Sequence, residues 1–161
     1  MILAHPLTSE AFSPFGDVIA LGQGETRTIN QGLCRRHHDL AEMDFSDGRA
    51  AISLFQAALR TLPCSIDLIE RHPEGSQAFL PMQDSEYLVV VAPDDAGRPG
   101  QPVAFYAKGD QGVNYHRNVW HAVLTPVAGS GLFAVVDRIG SGANLEEHWF
   151  GRSITVDIKR N

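Results

Sequence analysis

Side chains capable of chemistry are concentrated in residues 112–121, which read Gly-Val-Asn-Tyr-His-Arg-Asn-Val-Trp-His. The imidazole of a histidine exchanges protons readily near neutral pH, so either His116 or His121 could act as an acid or a base. The two would face opposite sides of an unbroken strand, but Arg117 and Asn118 favour a tight turn or bulge that brings both to one pocket. The alternative is that one of the two histidines packs in the core.

A second polar cluster, residues 70–77, reads Glu-Arg-His-Pro-Glu-Gly-Ser-Gln. Prolines on either side leave little room for a helix, so the pattern predicts a strand over residues 65–72. Successive side chains of a strand alternate between its two faces, so the even-numbered residues from Ile66 to His72 would share one face. The first two of them are apolar, which predicts that this face is interior. We expect the two polar clusters to meet and form one small-molecule site.

The second cluster contains half of a possible metal site. A buried carboxylate is unfavourable unless it is paired or binds a cation. Glu70 and His72 lie two residues apart on the predicted inner face, Gln77 could add an amide oxygen, and His121 could add a nitrogen. A mixed set of nitrogen and oxygen ligands suits nickel, zinc, manganese or iron. The alternative is a buried ion pair between Glu70 and a neighbouring arginine.

Two arginines, Arg71 and Arg117, adjoin these histidines. A guanidinium group can hold a carboxylate through two parallel hydrogen bonds, so either arginine could bind an acidic substrate. Each could instead lie at the surface or pair with Glu70. The sequence shows no glycine-rich phosphate loop and no serine in a nucleophile elbow. This pattern fits chemistry that needs no covalent nucleophile.

Composition restricts the class of protein. A chain of 161 residues, 43% of them hydrophobic, suits a single domain with one core. The formal net charge of −6 argues against nucleic acid and anionic membrane surfaces as partners. No apolar run approaches the ~20 residues that span a bilayer, and no secretory signal is visible. Cys34 and Cys64 predict two free thiols in a reducing cytosol, so we expect a cytoplasmic protein.

Short apolar segments separated by turns indicate an all-β domain, either an antiparallel sandwich or a barrel. A short helix is predicted near the start, capped by Thr8 or Ser9. Residues 139–151 are predicted to form a loop. The predicted strands cover residues 17–21, 50–57, 65–72, 87–92, 103–108, 119–124, 132–137 and 153–158.

Two long motifs resemble a known family. Glu-Arg-His-Pro at residues 70–73 with Gly-Ser-Gln-Ala-Phe-Leu-Pro-Met at 75–82 forms the first, and Gly-Asp-Gln-Gly-Val-Asn-Tyr-His-Arg-Asn-Val-Trp-His at 109–121 forms the second. Together they closely resemble the bacterial ureidoglycolate lyases of allantoin and purine nitrogen breakdown. The resemblance extends over nearly the whole chain.

The resemblance implies a cupin-like fold over residues 1–161: a double-stranded β-helix, or jelly-roll, barrel with a few short helices, assembled as a homodimer. Aligned on the usual cupin metal ligands, two histidines and a glutamate followed by a third histidine, this chain has Glu70, His72, Gln77 and His121. Glutamate therefore replaces the first histidine, and glutamine replaces the glutamate. The family is described as nickel-responsive, which implies a divalent metal, possibly Ni²⁺, and no organic cofactor.

The implied reaction is that of an amidine-lyase, which splits (S)-ureidoglycolate into glyoxylate and urea. Under this resemblance Glu70, His72, Gln77 and His121 supply the metal or base function, and His116 gives a proton to the leaving urea. Alternatives on the same barrel are a non-catalytic protein that binds a small carboxylic acid and a metal-dependent isomerase or dioxygenase. The residues expected to bind the substrate are Arg71, Gln77, Asn114, Tyr115 and Arg117.

Overall fold

The structure is a computed structural model and describes residues 1–159. Within that range the chain forms sixteen strands and one short α-helix, α1 (Ser9–Phe12). In chain order the strands are β1 (Ile2–Pro6), β2 (Gly16–Ile19), β3 (Glu25–Ile29), β4 (Cys34–His38), β5 (Arg49–Gln56), β6 (Cys64–Arg71), β7 (Gln77–Pro81), β8 (Ser85–Ala92), β9 (Asp94–Asp95), β10 (Arg98–Pro99), β11 (Val103–Ala107), β12 (Gly112–Tyr115), β13 (Trp120–His121), β14 (Thr125–Gly129), β15 (Leu132–Ile139) and β16 (Glu146–Ile158).

Six strands of the first sheet close into a barrel. Their order is β11-β1-β16-β6-β13-β8, and β8 also pairs with β11, which joins the two ends of the sheet. β14 pairs with the remaining part of β8, and β1 runs parallel to both of its neighbours. One apolar cluster draws a residue from or directly after each of these six strands, which places it inside the barrel. Its buried members are Ala4, Cys64, Ile66, Leu88, Val90, Ala104, Ala122 and Val156.

The second sheet, of order β2-β12-β7-β15-β5, is antiparallel throughout and packs on one side of the barrel. The apolar core between the barrel and this sheet combines residues of β8 and β11 with residues of β2, β7, β12, β15 and α1. Burial of this set from both sides holds the two layers together. Its largest buried members are Phe12, Phe15, Phe79, Tyr87, Phe105, Tyr115 and Phe133. We refer to the space between these layers as the inter-sheet core.

The expectation of an all-β, cupin-like barrel with little helix is confirmed. The predicted N-terminal helix is also present, because Ala11 donates its backbone N–H to the Thr8 hydroxyl at 3.2 Å and Phe12 is buried. The predicted loop over residues 139–151 is wrong in its second half. From Glu146 onward the chain pairs with β6, although its polar and exposed side chains conceal a strand in the sequence.

Two further predictions need correction. The predicted strand over residues 119–124 is divided, because β13 ends at His121 and β14 starts at Thr125. Strand β1 was not predicted, since only one of its five side chains, Ala4, is buried. The other strands that were not predicted are β3, β4, β7, β9, β10, β12 and β14. Among the residues that the structure describes, no helix is long and apolar enough to cross a membrane.

Candidate active site

Strands β6 and β13 place two of the predicted ligands side by side. The register pairs His121 with Glu70 on one neighbouring strand and with Val91 on the other. Residues paired across neighbouring strands project from the same face of a sheet. Val91 belongs to the inter-sheet core, so Glu70 and His121 also project between the two sheets.

The predicted sharing of one face from Ile66 to His72 is wrong at Ile66. Ile66 packs inside the barrel with Val90 and Ala122. Val90 is the chain neighbour of Val91, and Ala122 is the chain neighbour of His121, so both face away from the inter-sheet core. The alternation breaks because the partner strand β16 shifts register between Trp149 and Ile154, opposite this part of β6.

Glu70, His72 and His121 form a compact triad. One potential ligand atom from each residue lies within 4.8 Å of the other two. Nε2 of His72 is 3.8 Å from a carboxylate oxygen of Glu70, and the rings of His72 and His121 lie 5.2 Å apart between centroids. These distances are short enough for one ion to be shared, since ligand atoms lie ~2 Å from a bound metal.

Both histidines of the triad are oriented by backbone carbonyls. Nδ1 of His72 lies 2.8 Å from the Asn144 carbonyl, and Nδ1 of His121 lies 3.1 Å from the Ala122 carbonyl. A carbonyl can only accept, so each Nδ1 carries a hydrogen, and in a neutral ring Nε2 then keeps its lone pair. Both Nε2 atoms are buried without a partner. This arrangement is typical of histidines that bind metal through Nε2.

Burial sets the protonation of the triad. It raises the pKa of Glu70, with a further increase from Glu147 and an opposing effect from His72. Burial, and next the neighbouring His72, lower the pKa of His121 to about 3. His121 is therefore a neutral imidazole at neutral pH, and the ring of Tyr115 stacks on it at 4.1 Å and 7°. The triad thus combines a neutral imidazole, that of His121, with a carboxylate that takes up a proton more readily than usual.

Gln77 lies next to this triad in the fold. It starts β7 and pairs with Tyr115, the residue that stacks on His121. Its side-chain NH₂ donates to Asp137 at 3.1 Å, while its amide oxygen is buried without a partner. Gln77 therefore offers an unused oxygen within the inter-sheet core.

His116 does not join the triad. The predicted tight turn is present: Asn118 adopts a positive φ of 66°, and Val119 donates its backbone N–H to the His116 carbonyl. This turn leaves the His116 side chain 45% exposed, with Nε2 3.3 Å from the carboxylate of Asp17. The prediction that the turn directs both His116 and His121 into one pocket therefore does not match the position of His116.

Arg117 and His116 line a surface cavity of about 330 Å³ together with Glu42, Asp44 and Ser76. Nε of Arg117 lies 3.7 Å from the Asp44 carboxylate. Asn118, the next residue, donates its backbone N–H to the His72 carbonyl at 2.9 Å. The cavity consequently borders the segment that carries His72.

Arg71 projects away from the triad. Its guanidinium contacts carboxylate oxygens of Asp94 at 2.7 Å and Glu146 at 2.6 Å, and it lies 4.4 Å from the ring centre of Trp120. Because its hydrogen bonds are made within the protein, Arg71 is a poorer candidate than Arg117 for binding a substrate carboxylate.

Asn114 and Tyr115 face opposite sides of β12. Tyr115 projects into the inter-sheet core, whereas Asn114 is buried on the other side and donates to Asp17 at 3.0 Å and to the Glu42 carbonyl at 2.9 Å. The structure therefore brings Tyr115, but not Asn114, to the triad.

Sequence reasoning missed Asp137 and Asp17. Phe133 and Val135 are buried, and Asp137 is the next alternate residue of the same strand. This alternation in the sequence indicates that Asp137 points inward. Asp17 contacts both Asn114 and His116 across a distance of about 100 residues in the chain, and no local pattern predicts that contact.

The comparison with known proteins decides the family. The family described as ureidoglycolate lyase matches residues 1–157. The chain belongs to the ureidoglycolate lyase family.

Several named members of the ureidoglycolate lyase family are similar over nearly their full length. The ureidoglycolate lyase of Rhodobacter capsulatus is 56% identical over 148 residues, which cover 91% of this chain and 92% of the relative. That of Chelativorans sp. is 49% identical and covers 98% of this chain and 96% of the relative. That of Agrobacterium fabrum is 50% identical, with 94% and 93% covered.

Proposed function

We propose that this protein is an amidine-lyase that cleaves (S)-ureidoglycolate into glyoxylate and urea. The observation that carries the proposal is membership of the ureidoglycolate lyase family over residues 1–157. The triad of Glu70, His72 and His121 supports it, because it supplies the proton acceptor and the ligand atoms that such a reaction uses.

The reaction requires two proton transfers. The reacting carbon of ureidoglycolate bears a hydroxyl, a carboxylate and a ureido nitrogen. Loss of the hydroxyl proton lets that oxygen form the aldehyde of glyoxylate while the carbon–nitrogen bond breaks. The departing nitrogen keeps the electron pair and takes up a proton to become urea. A base near the hydroxyl and an acid near the nitrogen are therefore sufficient, and no covalent intermediate is needed.

Glu70 is the proposed base. Its pKa is raised chiefly by burial, so its carboxylate accepts a proton more readily than an exposed glutamate does. Tyr115 lies in the inter-sheet core against His121, where its ring limits access of water to the triad.

The triad also fits a divalent cation. Two imidazole nitrogens with free lone pairs and one carboxylate form a mixed donor set suited to nickel, manganese or zinc, and we propose nickel because the family resemblance implies it. Glu70, His72 and His121 would hold the ion, with the oxygen of Gln77 as a further donor. When bound, the ion would act as a Lewis acid toward oxygen atoms of the substrate.

We assign the substrate carboxylate to Arg117 rather than Arg71. Arg117 borders the cavity of about 330 Å³ and has one acidic neighbour at 3.7 Å, whereas Arg71 is held by two carboxylates. His116 is the proposed donor of the proton to urea, because it lines the same cavity and is oriented by Asp17.

We also propose a homodimer that acts in the cytoplasm. Two outward-facing side chains of β5 are apolar and exposed: Ile52 is 77% and Leu54 63% exposed, and they pair with the half-buried Val136 and Ala134. A sheet face in contact with water usually carries polar residues, so a second copy of this chain would cover this one. The two free cysteines suit a reducing compartment.

Light scattering tests the dimer. Wild type should elute at twice the mass of the chain, and Leu54→Lys should shift it toward the monomer. Leu145→Lys, which changes an exposed leucine outside the second sheet, serves as the matched control and should leave the mass unchanged. A monomeric wild type would contradict the assembly without affecting the proposed reaction.

The reaction is tested by incubating metal-defined protein with racemic ureidoglycolate and resolving the remaining enantiomers. We expect the (S) form to disappear with equal amounts of glyoxylate and urea appearing. Binding without turnover would support a non-catalytic carboxylic-acid binder, and dependence on oxygen would support a dioxygenase. Either result would overturn the proposed function.

A further inference from the structure

An inward-facing carboxylate, that of Asp137, has no part in the reaction as proposed above. Asp137 follows Phe133 and Val135 on the face of β15 that builds the inter-sheet core. Within residues 1–159, its side chain makes one hydrogen bond, which it accepts from the Gln77 amide at 3.1 Å. A charged group directed toward a core is unfavourable unless a specific partner compensates for it.

The contact between Asp137 and Gln77 follows from the register of β15 and β7. Val136 pairs with Ala78, so Asp137 and Gln77 are the next facing positions along the same two strands. The backbone of a sheet therefore holds both side chains at a fixed separation.

The chemistry of the pair fixes which way the amide points. A carboxylate accepts hydrogen bonds and donates none, so it must face the NH₂ group of Gln77 and not its oxygen. The Gln77 oxygen is then directed away from Asp137, where it is buried and has no partner. A buried carbonyl oxygen without a partner is unfavourable by about 1–3 kcal/mol, and a bound cation would remove that penalty.

The residue that carries the free oxygen neighbours the triad through Tyr115. Gln77 pairs with Tyr115, and the Tyr115 ring stacks on the ring of His121. The unpartnered atoms of this region are therefore two nitrogens and one oxygen: Nε2 of His72, Nε2 of His121 and Oε1 of Gln77.

We propose that Asp137 is a positioning residue that locks the Gln77 amide so that its oxygen, and not its NH₂ group, faces the Glu70–His72–His121 triad. Gln77 thereby becomes an additional oxygen donor for a divalent cation. A flipped amide would present two N–H groups to the same ion and repel it. The inference rests on the proposed function in that it places a cation at the triad.

A double-mutant cycle on cation binding tests the proposal. Metal-free wild type, Asp137→Asn, Gln77→Ala and the double variant are titrated with Ni²⁺ by calorimetry. Asparagine can donate as well as accept, so Asp137→Asn frees the amide to flip, and we expect about 10-fold to 100-fold weaker binding. In the Gln77→Ala background the same substitution has no amide to release, and it should change the Kd less than about threefold.

Two further variants separate orientation from charge and folding. Asp137→Glu keeps an acceptor that cannot donate and should remain within about threefold of wild type. Asp95→Asn removes an exposed carboxylate from β9 and should leave the Kd unchanged. Circular dichroism establishes that each variant is folded.

Three results would overturn the inference. Asp137→Asn could weaken Ni²⁺ binding equally in wild type and in Gln77→Ala, it could weaken binding in neither, or wild type could fail to bind Ni²⁺. Turnover of ureidoglycolate by wild type is measured in parallel. Active wild type without coupling between Asp137 and Gln77 contradicts only the positioning role. Coupling in a wild type that does not turn over the substrate contradicts only the proposed reaction.

Discussion

Strands β6 and β13 carry polar groups on both faces, and the two groups differ in how their hydrogen bonds are satisfied. We call Glu70, His72 and His121 the inner cluster, and Arg71 and Trp120 with their carboxylate partners the outer cluster. Glu70 and His121 face the inter-sheet core, whereas their chain neighbours Arg71 and Trp120 face the other way. In the outer cluster Arg71 binds two carboxylates, and the Trp120 indole donates to Asp94 at 3.0 Å. In the inner cluster both histidine Nε2 atoms are buried and unpartnered.

This difference is the basis of our proposal that one cluster stabilises the fold and the other binds a ligand. The hydrogen bond from Trp120, then that from the Gly97 backbone, with a smaller contribution from Arg71, lowers the pKa of Asp94. Burial instead raises the pKa of Glu70. Paired charges of the outer kind stabilise the native state, whereas unpaired buried groups reduce stability unless a ligand completes them.

Glu70→Gln should produce the largest effect on activity. We expect turnover to fall by about 10²-fold to 10⁴-fold, because the proposed base is removed without a change in size. A raised folded-state pKa means that the contribution of Glu70 to stability is complete below its unfolded pKa and is lost as pH rises through the folded value. At pH 7 the metal-free variant should therefore be at least as stable as wild type in urea. Unchanged turnover would exclude Glu70 as the base.

His121→Ala should lower turnover by about 10²-fold or more while the protein remains folded, since the expected loss is that of a ligand and not of packing alone. Turnover and thermal melting are measured on the same preparation. A melting transition that collapses together with activity would make His121 a structural residue.

Arg71→Met should show the opposite pattern. Methionine keeps much of the apolar stem but loses both ion pairs and the contact with Trp120, so the urea midpoint should fall while turnover stays within about threefold of wild type. Loss of turnover at unchanged stability would assign Arg71 to the substrate and reverse our preference for Arg117.

The smallest expected effect concerns pH. The folded-state pKa of His121, about 3, lies below its ordinary value, so the neutral ring contributes stability above about pH 6.5 that is lost as pH falls toward 3. Between pH 6.5 and 4, the free energy of unfolding of metal-free wild type should fall by about 1 kcal/mol or more beyond its fall in His121→Asn. The exposed control His5→Gln should follow wild type, and parallel curves for all three proteins would contradict the buried neutral ring.

The inner cluster was partly predictable from sequence because its determinants are local. The spacing of Glu70 near the end of β6 and His72 just after it required only a proline-bounded segment, and the turn after His116 required only a residue, Asn118, that tolerates a positive φ. The all-β class followed from the frequency of turns between short apolar segments.

Other features depend on distant pairings that a single sequence does not reveal. The shift in β16 that turns Ile66 into the barrel, the parallel pairing of β1, and the contact of Asp137 with Gln77 each join segments far apart in the chain. The ion pairs of Arg71 are of the same kind, since its partners lie 23 and 75 residues away.

The most direct test of the central claim is turnover of (S)-ureidoglycolate by one preparation before chelation, after exhaustive chelation and after re-addition of nickel or manganese, with metal content followed by elemental analysis. Activity of the inner cluster should require the ion, whereas folding of the apolar barrel should not. Turnover should therefore fall at least about tenfold on chelation and return on re-addition. The circular dichroism spectrum should not change. Full turnover by protein that contains no metal would contradict the claim that the unpartnered triad functions by binding a cation.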